Sequence, residues 1–346
     1  MTGTTLPTVQ APATQTQVRL IARPSQGRVT AGLFQVGQGP VEAPGDGQVL
    51  IRVLFLSLDP AMRGWIADAA NYRTPVPLGA VMTGFTVGRV VASRHPGYAV
   101  GDVVYGSQGW QEWALSDGSD IHHKVDPAWG PPSLALGVLG HTGLTAYLGL
   151  LDVGQPRAGE TVVVSTAAGA VGSVVGQIAR LKGCRTVGIA GSDEKVRQCL
   201  EEFGFDAAVN YRAGGDLGAA LDAACPCGVD VYFDNVAGPV ADAVLERINV
   251  GARIVQNGTI ALGPGAPPAP RINRTILVKR ARLEGFLVLD HFHRFPEALA
   301  ELSAWVRDGL IRHREDVAEG LAAAPAALVR LLAGENTGKQ VVRIAP

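Results

Sequence analysis

The sequence predicts an α/β protein, with a doubly wound parallel sheet in one domain and a β-rich second domain. Three observations lead to this prediction. Short β-like runs separated by Gly/Pro turns fill the first third of the chain, and strands alternate with amphipathic helices from about Leu139 onward. The chain also has 346 residues, of which 47% are hydrophobic and 18% charged, which is enough for two sizeable cores.

The first 138 residues contain the β-rich part. Residues 1–16 are rich in Thr, Pro, Ala and Gln and lack the apolar stretch of a signal peptide or a membrane anchor, so we expect a loose tail there. Strands are expected at Val49–Leu54, Thr86–Val91 and Asp102–Tyr105, with turn clusters between them. Closely spaced short strands of this kind indicate a barrel or sandwich over residues 17–138.

Residues 139–310 are expected to form the parallel-sheet domain, because continuous apolar strands alternate there with helices. The expected strands are Thr161–Val164, Thr186–Ala190, Ala207–Asn210, Val229–Phe233, Arg253–Gln256 and Leu283–Val288. The expected helices are Val171–Lys182, Asp193–Phe203, Leu217–Ala224, Val240–Ile248 and Pro296–Asp308. The stretch Gly263–Pro270 is rich in Gly and Pro and is expected to be a loop, and a last strand is expected at Gln340–Ile344.

Composition excludes several classes of partner. A formal net charge of -1 gives no electrostatic reason to expect a nucleic acid or an anionic membrane, and no apolar run reaches the roughly 18 residues of a transmembrane helix. The four cysteines all fall in the middle third, unlike an extracellular disulfide framework. We therefore expect a cytoplasmic protein with a small-molecule ligand.

The clearest motif is the junction between the first expected strand of the parallel sheet and the helix after it. An apolar strand leads into a turn with Gly169, Ala170 and Val171, and Gly172 opens the helix. Small residues let the backbone approach a pyrophosphate, and the helix N-terminus offers N–H groups and a positive dipole end. Close packing alone would also explain Ala-x-Gly-x-x-Gly, but its place at the head of a strand–helix array favours dinucleotide binding in a Rossmann domain.

The end of the second strand indicates which dinucleotide is bound. An NAD site carries Asp or Glu there to hold the ribose 2′-hydroxyl. This chain instead has Gly191, followed by Ser192 and, one helical turn on, Lys195. A hydroxyl and an ammonium suit the 2′-phosphate of NADPH, although Ser192 is equally explained as a helix N-cap and Lys195 as part of a solvated face.

Six segments of the chain resemble the medium-chain dehydrogenase/reductase superfamily. More narrowly, they are similar to its zinc-independent branch of prostaglandin reductases, plant 2-alkenal reductases and bacterial curcumin-reductase-like enzymes. The segments are Ser57–Gly64, Thr142–Tyr147, Gly169–Ala179, Gly191–Lys195, Phe233–Val236 and Gly334–Lys339. The resemblance implies a GroES-like substrate domain, to which residues 311–346 return, a Rossmann domain over 139–310, and a homodimer.

The resemblance also implies roles for individual residues. Lys195 and Tyr211 would contact the 2′-phosphate. The rest of the NADPH site would be lined by Asn235, Asn257, Gly258, Thr259, Ile260 and the segment on to Gly263, by Phe286, Leu287 and Val288, and by Asn336. A surface aromatic remains an alternative for Tyr211, and a turn residue for Asn336.

The catalytic acid is not assigned by the sequence. Several relatives have tyrosines where this chain has Ala61 and Val278, so their hydroxyls are missing here. Tyr105 is the nearest substitute, with a core tyrosine as the competing interpretation. Arg63 is a candidate hydrogen-bond donor to the substrate, with a salt-bridged structural arginine as its alternative. Water or a cofactor hydroxyl would then supply the proton.

No metal site is expected. Zinc-dependent relatives use a Cys near the chain start, a Gly-His-Glu motif and a four-Cys lobe, whereas the first cysteine here is Cys184 and Cys225–Cys227 has no second pair. His122–His123 and His291–His293 are local pairs only.

These observations favour an NADPH-dependent reductase of carbon–carbon double bonds in enones or enals. Hydrogen-bond donors aimed at the carbonyl oxygen would stabilise the enolate that forms. Two other functions stay open: a quinone reductase on the same fold, and a non-catalytic NADPH-binding structural or sensor protein.

Overall fold

The computed structural model describes residues 11–68, 72–262 and 268–345, and the chain divides into two compact units. The first, here called the β-rich unit, comprises the described parts of Met1–Leu136, Glu315–Asn336 and Gln340–Pro346. The second, the parallel-sheet unit, comprises the described parts of Gly137–Arg314 and Thr337–Lys339.

The elements have the following bounds. The strands are β1 (Thr14–Leu20), β2 (Phe34–Pro40), β3 (Val49–Ser57), β4 (Thr86–Ser93), β5 (Val103–Gly106), β6 (Trp113–Ser116), β7 (Ile121–Lys124), β8 (Thr161–Ser165), β9 (Arg185–Ala190), β10 (Ala207–Asn210), β11 (Val229–Asp234), β12 (Ile248–Gln256), β13 (Arg282–Gly285), β14 (Glu315–Glu319) and β15 (Lys339–Arg343). The α-helices are α1 (Met62–Trp65), α2 (His141–Leu148), α3 (Gly172–Leu181), α4 (Asp193–Arg197), α5 (Leu217–Ala224), α6 (Gly238–Leu245), α7 (Asn273–Lys279), α8 (Phe295–Arg307) and α9 (Ala324–Ala333).

The β-rich unit is organised around β3. This strand is apolar and buried at most positions, and it pairs antiparallel with β4, β6 and β15 in a sheet of order β14-β15-β3-β4-β5-β7. A core packs on it that includes Val49, Ile51, Val53, Val90 and Val104. β1 and β2 form a separate antiparallel pair. β4 is buried over its first three residues and at Val90, and half-buried at the others.

The parallel-sheet unit contains six strands in the order β10-β9-β8-β11-β12-β13. β8 is the first of these strands along the chain, β9 and β10 follow on one side of it, and β11, β12 and β13 lie on the other side. The strand order therefore reverses between β8 and β11, and doubly wound sheets bind ligands at such a switch point. Every residue of β8 is buried because helices cover both faces of such a sheet. The predicted fold class, α/β with a doubly wound parallel sheet and a separate β-rich part, is confirmed.

Three local predictions were wrong at their boundaries. Residues 14–16, predicted to belong to a loose tail over 1–16, instead pair with β2 in β1, and residues 1–10 lie outside the described residues. The helix predicted over Val240–Ile248 ends at Leu245, and Ile248 instead pairs with Val229 at the start of β12. The strand predicted at Leu283–Val288 ends at Gly285, and a 3-10 turn follows from Val288. Part of the predicted loop, residues 263–267, lies outside the described residues.

Candidate functional site

The turn after β8 is built mostly from alanine and glycine. Thr166 turns the chain away from the strand with a φ of 55°, and the Gly169 N–H donates to the Thr166 carbonyl at 2.9 Å. A Cβ atom on Gly172 would overlap the Thr166 carbonyl oxygen and lie 2.9 Å from the Cα of Ala167. α3 therefore approaches the turn as closely as a glycine permits, with Ala170 and Val171 half-buried beside it. The N-terminus of α3, which is the positive end of the helix dipole, lies at the carboxyl edge of the sheet.

A second group of residues surrounds Gly191, which directly follows β9. A Cβ atom there would lie 3.4 Å from the Tyr211 hydroxyl and 3.6 Å from the Arg212 Nε. Ser192 accepts the Lys195 N–H at 3.3 Å and is therefore the N-cap of α4, as one of its two interpretations predicted. Tyr211 is 40% exposed, and the Arg212 guanidinium lies 5.3 Å from the centre of its ring. Tyr211 and Arg212 offer a hydroxyl and a guanidinium near Gly191, which suits a phosphate dianion.

Arg212 was not identified from the sequence as a candidate for the 2′-phosphate site. The signal that could have identified it is a basic residue just after β10, the strand next to β9 in the sheet. Neighbouring parallel strands end at the same edge, so residues that follow them come together.

A third group joins the ends of β8, β11 and β12. The Asn235 side chain donates from Nδ2 to the Ser165 carbonyl at 2.7 Å, and Asn257 donates from Nδ2 to Asn235 Oδ1 at 2.8 Å. A Cβ atom on Gly258 would overlap the Asn235 carbonyl oxygen. Thr259 is exposed and Ile260 half-buried just beyond. These residues form one hydrogen-bonded surface at the carboxyl edge.

The chain after β13 continues this surface. The Phe286 N–H donates to the Gln256 carbonyl at 3.0 Å, and the Phe286 ring stacks on His291 with centres 5.0 Å apart. Phe286 and Val288 are buried, while Leu287 between them is half-buried. Backbone pairing thus holds the predicted Phe286–Val288 segment next to the end of β12.

A buried carboxylate, Asp234, lies beneath this surface and was given no role by sequence reasoning. It ends β11, is 1% exposed, and accepts hydrogen bonds from Ser165, among others. Gln256 also donates to it, at 3.2 Å. The signal in the sequence was an acidic residue directly after the apolar run Val231–Phe233. A sheet buries such a carboxylate only when its hydrogen bonds are satisfied.

The remaining candidates belong to the β-rich unit. Tyr105 is 1% exposed on β5, with ring centres 5.8 Å from Phe85, 5.5 Å from His122 and 4.9 Å from His123. Burial lowers the pKa of His123 to about 4, so this ring cluster keeps an uncharged imidazole at neutral pH. Such packing is typical of a core tyrosine.

Arg63 and Asn336 have different surroundings in the same unit. Arg63 is half-buried on the single turn of α1, and its N–H donates to the Pro60 carbonyl at 3.1 Å. Asn336 is 8% exposed, two residues beyond Gly334, which ends α9 with a φ of 74°. Both residues make further interactions within the protein.

Among residues 11–68, 72–262 and 268–345, no three His, Cys, Asp or Glu side chains cluster closely enough to hold a metal ion. All four cysteines are free thiols. Burial raises the pKa of Cys184 and of Cys225 to about 11, and that of Cys199 to about 12, whereas Cys227 is exposed. No helix in the described part of the chain is long and apolar enough to cross a membrane.

Comparison with known proteins identifies relatives along nearly the whole chain. Residues 16–124 match the family described as the N-terminal domain of oxidoreductase, and residues 170–304 match the family described as zinc-binding dehydrogenase. The chain is 46% identical to the NADPH-dependent curcumin reductase of Escherichia coli, over 90% of this chain and 92% of the relative. It is 41% identical to the NADP(+)-dependent 2-alkenal reductase of Nicotiana tabacum, over 87% and 88%. The crystal structure of CurA from Vibrio vulnificus in complex with NADPH superimposes with a TM-score of 0.90 at 42% identity, covering 96% of this chain and 99% of that one.

Proposed function

Because the chain belongs to the zinc-independent reductase branch of the medium-chain dehydrogenase/reductase superfamily, we propose that it is an NADPH-dependent enone and alkenal reductase. The observation that carries the proposal is the site around Gly191, where Tyr211 and Arg212 stand in place of the carboxylate of an NAD site. The relatives named as NADPH-dependent curcumin reductase and 2-alkenal reductase support the same cofactor and the same class of substrate.

The residues of the parallel-sheet unit fit the cofactor. Gly169, Ala170, Val171 and Gly172 would hold the pyrophosphate at the start of α3, because Gly172 lets the helix pack directly on the turn. The 2′-phosphate would be held by Ser192, Lys195, Tyr211 and Arg212. The remainder of the cofactor would be lined by Asn235, Asn257, Gly258, Thr259, Ile260, Phe286, Leu287, Val288 and Asn336.

When bound, NADPH supplies the hydride that reduces the β-carbon of the unsaturated ketone or aldehyde. Arg63 is proposed to donate a hydrogen bond to the carbonyl oxygen, where negative charge develops. The α-carbon then takes a proton from water, which gives the saturated carbonyl compound. Tyr105, which is buried among Phe85, His122 and His123, is the second candidate donor.

The reaction is tested with NADPH deuterated at the transferred position and a panel of alkenals, enones and quinones. We expect deuterium at the β-carbon of a saturated ketone or aldehyde. Deuterium on a carbinol carbon, with the alkene intact, would show carbonyl reduction and refute the proposal. Turnover of quinones alone would establish a quinone reductase. NADPH binding without turnover across the panel would establish a non-catalytic binding protein.

Two finer features are also proposed. The enzyme is a homodimer, as the family resemblance implies, and light scattering on a size-exclusion column tests this by giving the mass in solution. It works in the cytoplasm, which agrees with four free thiols, three of them buried. Fractionation of cells that express the full chain tests the location.

A further inference from the structure

We propose that Asp234 is a positioning residue that fixes the cofactor-binding edge of the parallel sheet. It does so by holding a strained turn after β11 and, through Gln256, the segment after β12. The inference rests on the proposed function, because the role concerns NADPH binding at this edge. Asp234 itself is 1% exposed and acts through its neighbours.

One carboxylate oxygen of Asp234 gathers four donors. Oδ1 accepts the Ser165 hydroxyl at 3.1 Å, the Tyr232 hydroxyl at 3.0 Å, and the N–H groups of Val236 and Ala237, each at 2.9 Å. The Ser165 hydroxyl in turn accepts the N–H of Asn235, the residue that follows Asp234, at 2.8 Å. A carboxylate oxygen accepts several hydrogen bonds through its lone pairs. A neutral amide oxygen of the same size accepts them less strongly.

The turn that these donors close is strained. Ala237 has a φ of 59° and a ψ of -158°, a region that glycine alone adopts readily. Such a backbone persists only where surrounding contacts impose it, and here the contact is the hydrogen bond from the Ala237 N–H to Asp234. Asn235 lies inside this turn, so the orientation of its side chain depends on the turn staying closed.

The second oxygen of Asp234 holds the neighbouring segment. The Gln256 amide donates from Nε2 to Asp234 Oδ2 at 3.2 Å and to the Gly258 carbonyl at 2.7 Å. The Asp234 carbonyl also accepts the N–H groups of Asn257 at 2.8 Å and Gly258 at 3.1 Å. The main chain and side chain of one residue thus hold both asparagines of the edge, Asn235 and Asn257.

Hydrogen-bond donors face both carboxylate oxygens of Asp234. Only a side chain with an acceptor at each of these two positions satisfies them. In an Asp234→Asn variant, the new NH₂ group faces either Gln256 Nε2 or the four donors at Oδ1. Rotating the Gln256 amide does not help, because its oxygen would then face the Gly258 carbonyl. A donor therefore meets a donor, or an acceptor an acceptor, in a buried site.

The test compares cofactor dissociation constants by fluorescence titration, at a temperature where each variant is folded. Asp234→Asn is expected to weaken NADPH and NADH by the same factor, about tenfold to a hundredfold, because the 2′-phosphate would be held by other residues. Adding Ala237→Gly is expected to recover at least part of this loss, because the turn then closes without strain. Gln256→Met tests the second arm if Asp234→Asn does not fold, and should also weaken both cofactors equally.

Asp230→Asn is the matched control. Asp230 lies on the same strand at the opposite end of the sheet, where it accepts the Thr161 N–H and the Asn249 amide, each at 2.8 Å. Its loss should lower the melting temperature and leave both dissociation constants unchanged. Unchanged affinities in Asp234→Asn and Gln256→Met, or no recovery with Ala237→Gly, would overturn the positioning role alone. Failure of the unsubstituted protein to bind NADPH would overturn the proposed function with it.

Discussion

The two ends of the proposed cofactor site are built in opposite ways. At the phosphate end, Tyr211 is 40% exposed and Arg212 is also exposed, so solvent screens their charges and dipoles. At the other end, Asp234 is 1% exposed and accepts five side-chain-directed hydrogen bonds from residues of three strands and a turn. The exposed end can be altered residue by residue, whereas the buried end changes as a unit.

This difference separates the residues that would select NADPH over NADH from the residues that would shape the site for either cofactor. Exposed donors near the 2′-phosphate contribute an attraction that NADPH experiences and NADH, which lacks this group, does not. A buried network contributes geometry that NADPH and NADH need equally, and its disruption also lowers the stability of the fold. Substitutions at the two ends should therefore have different signatures.

The largest effect is expected from Gly258→Ala at the buried end. The added Cβ atom overlaps the Asn235 carbonyl oxygen, so the backbone must move. We expect both cofactors to bind at least about tenfold more weakly and the free energy of unfolding to fall by roughly 1–3 kcal/mol. Titration and thermal unfolding measure these quantities. Gly285→Ala is the control, because a Cβ atom at the end of β13 meets nothing within 4 Å; equal effects of the two would contradict the explanation.

Next in size is the effect of Arg212→Ala at the exposed end. Loss of a charge-assisted contact should weaken NADPH by about 1–3 kcal/mol and leave NADH nearly unchanged. Lys195→Ala should act in the same direction. The NADPH preference should also shrink as salt is raised, since the charges are exposed. An equal loss for both cofactors would show that these side chains act structurally, and the contrast between the two ends would fail.

A smaller and opposite effect is expected from Ala237→Gly. Relief of the strained backbone is worth about 1–3 kcal/mol, and the extra freedom of glycine in the unfolded chain offsets about 0.5–1 kcal/mol. We therefore expect a net gain of roughly 1 kcal/mol in the free energy of unfolding, measured by denaturant titration. Ala241→Gly, within α6, should instead destabilise the protein by about 1 kcal/mol. Destabilisation by both would mean that the turn is not strained.

The smallest effect is expected from metal removal. The sequence offers no Cys before Cys184 and no second pair beside Cys225–Cys227, so dialysis against a strong chelator should leave turnover unchanged. Activity that disappears on dialysis and returns with zinc alone would contradict this expectation. The proposed site would then contain a metal ion in addition to the phosphate end and the buried end.

The sequence alone determined the architecture of the parallel-sheet unit and the Gly-containing turn proposed to bind the pyrophosphate. Apolar strands, helical periodicity and small residues are local properties, so β8, the turn to Gly172 and α3 follow from consecutive residues. The absence of an acidic residue at Gly191 is equally local. Boundaries were less certain where pairing decided them: Ile248 joins β12 because Val229 lies beside it, which no local preference reveals.

The tertiary structure decided what long-range contacts bring together. Asp234 meets Ser165 from 69 positions earlier and Gln256 from 22 positions later, so its role becomes visible only when parallel strands end at one edge. Arg212 joins Tyr211 and Gly191 for the same reason. Tyr105 is placed among Phe85, His122 and His123 by the pairing of β4, β5 and β7. Burial and hydrogen-bond satisfaction are properties of the folded assembly, because each depends on groups distant in sequence.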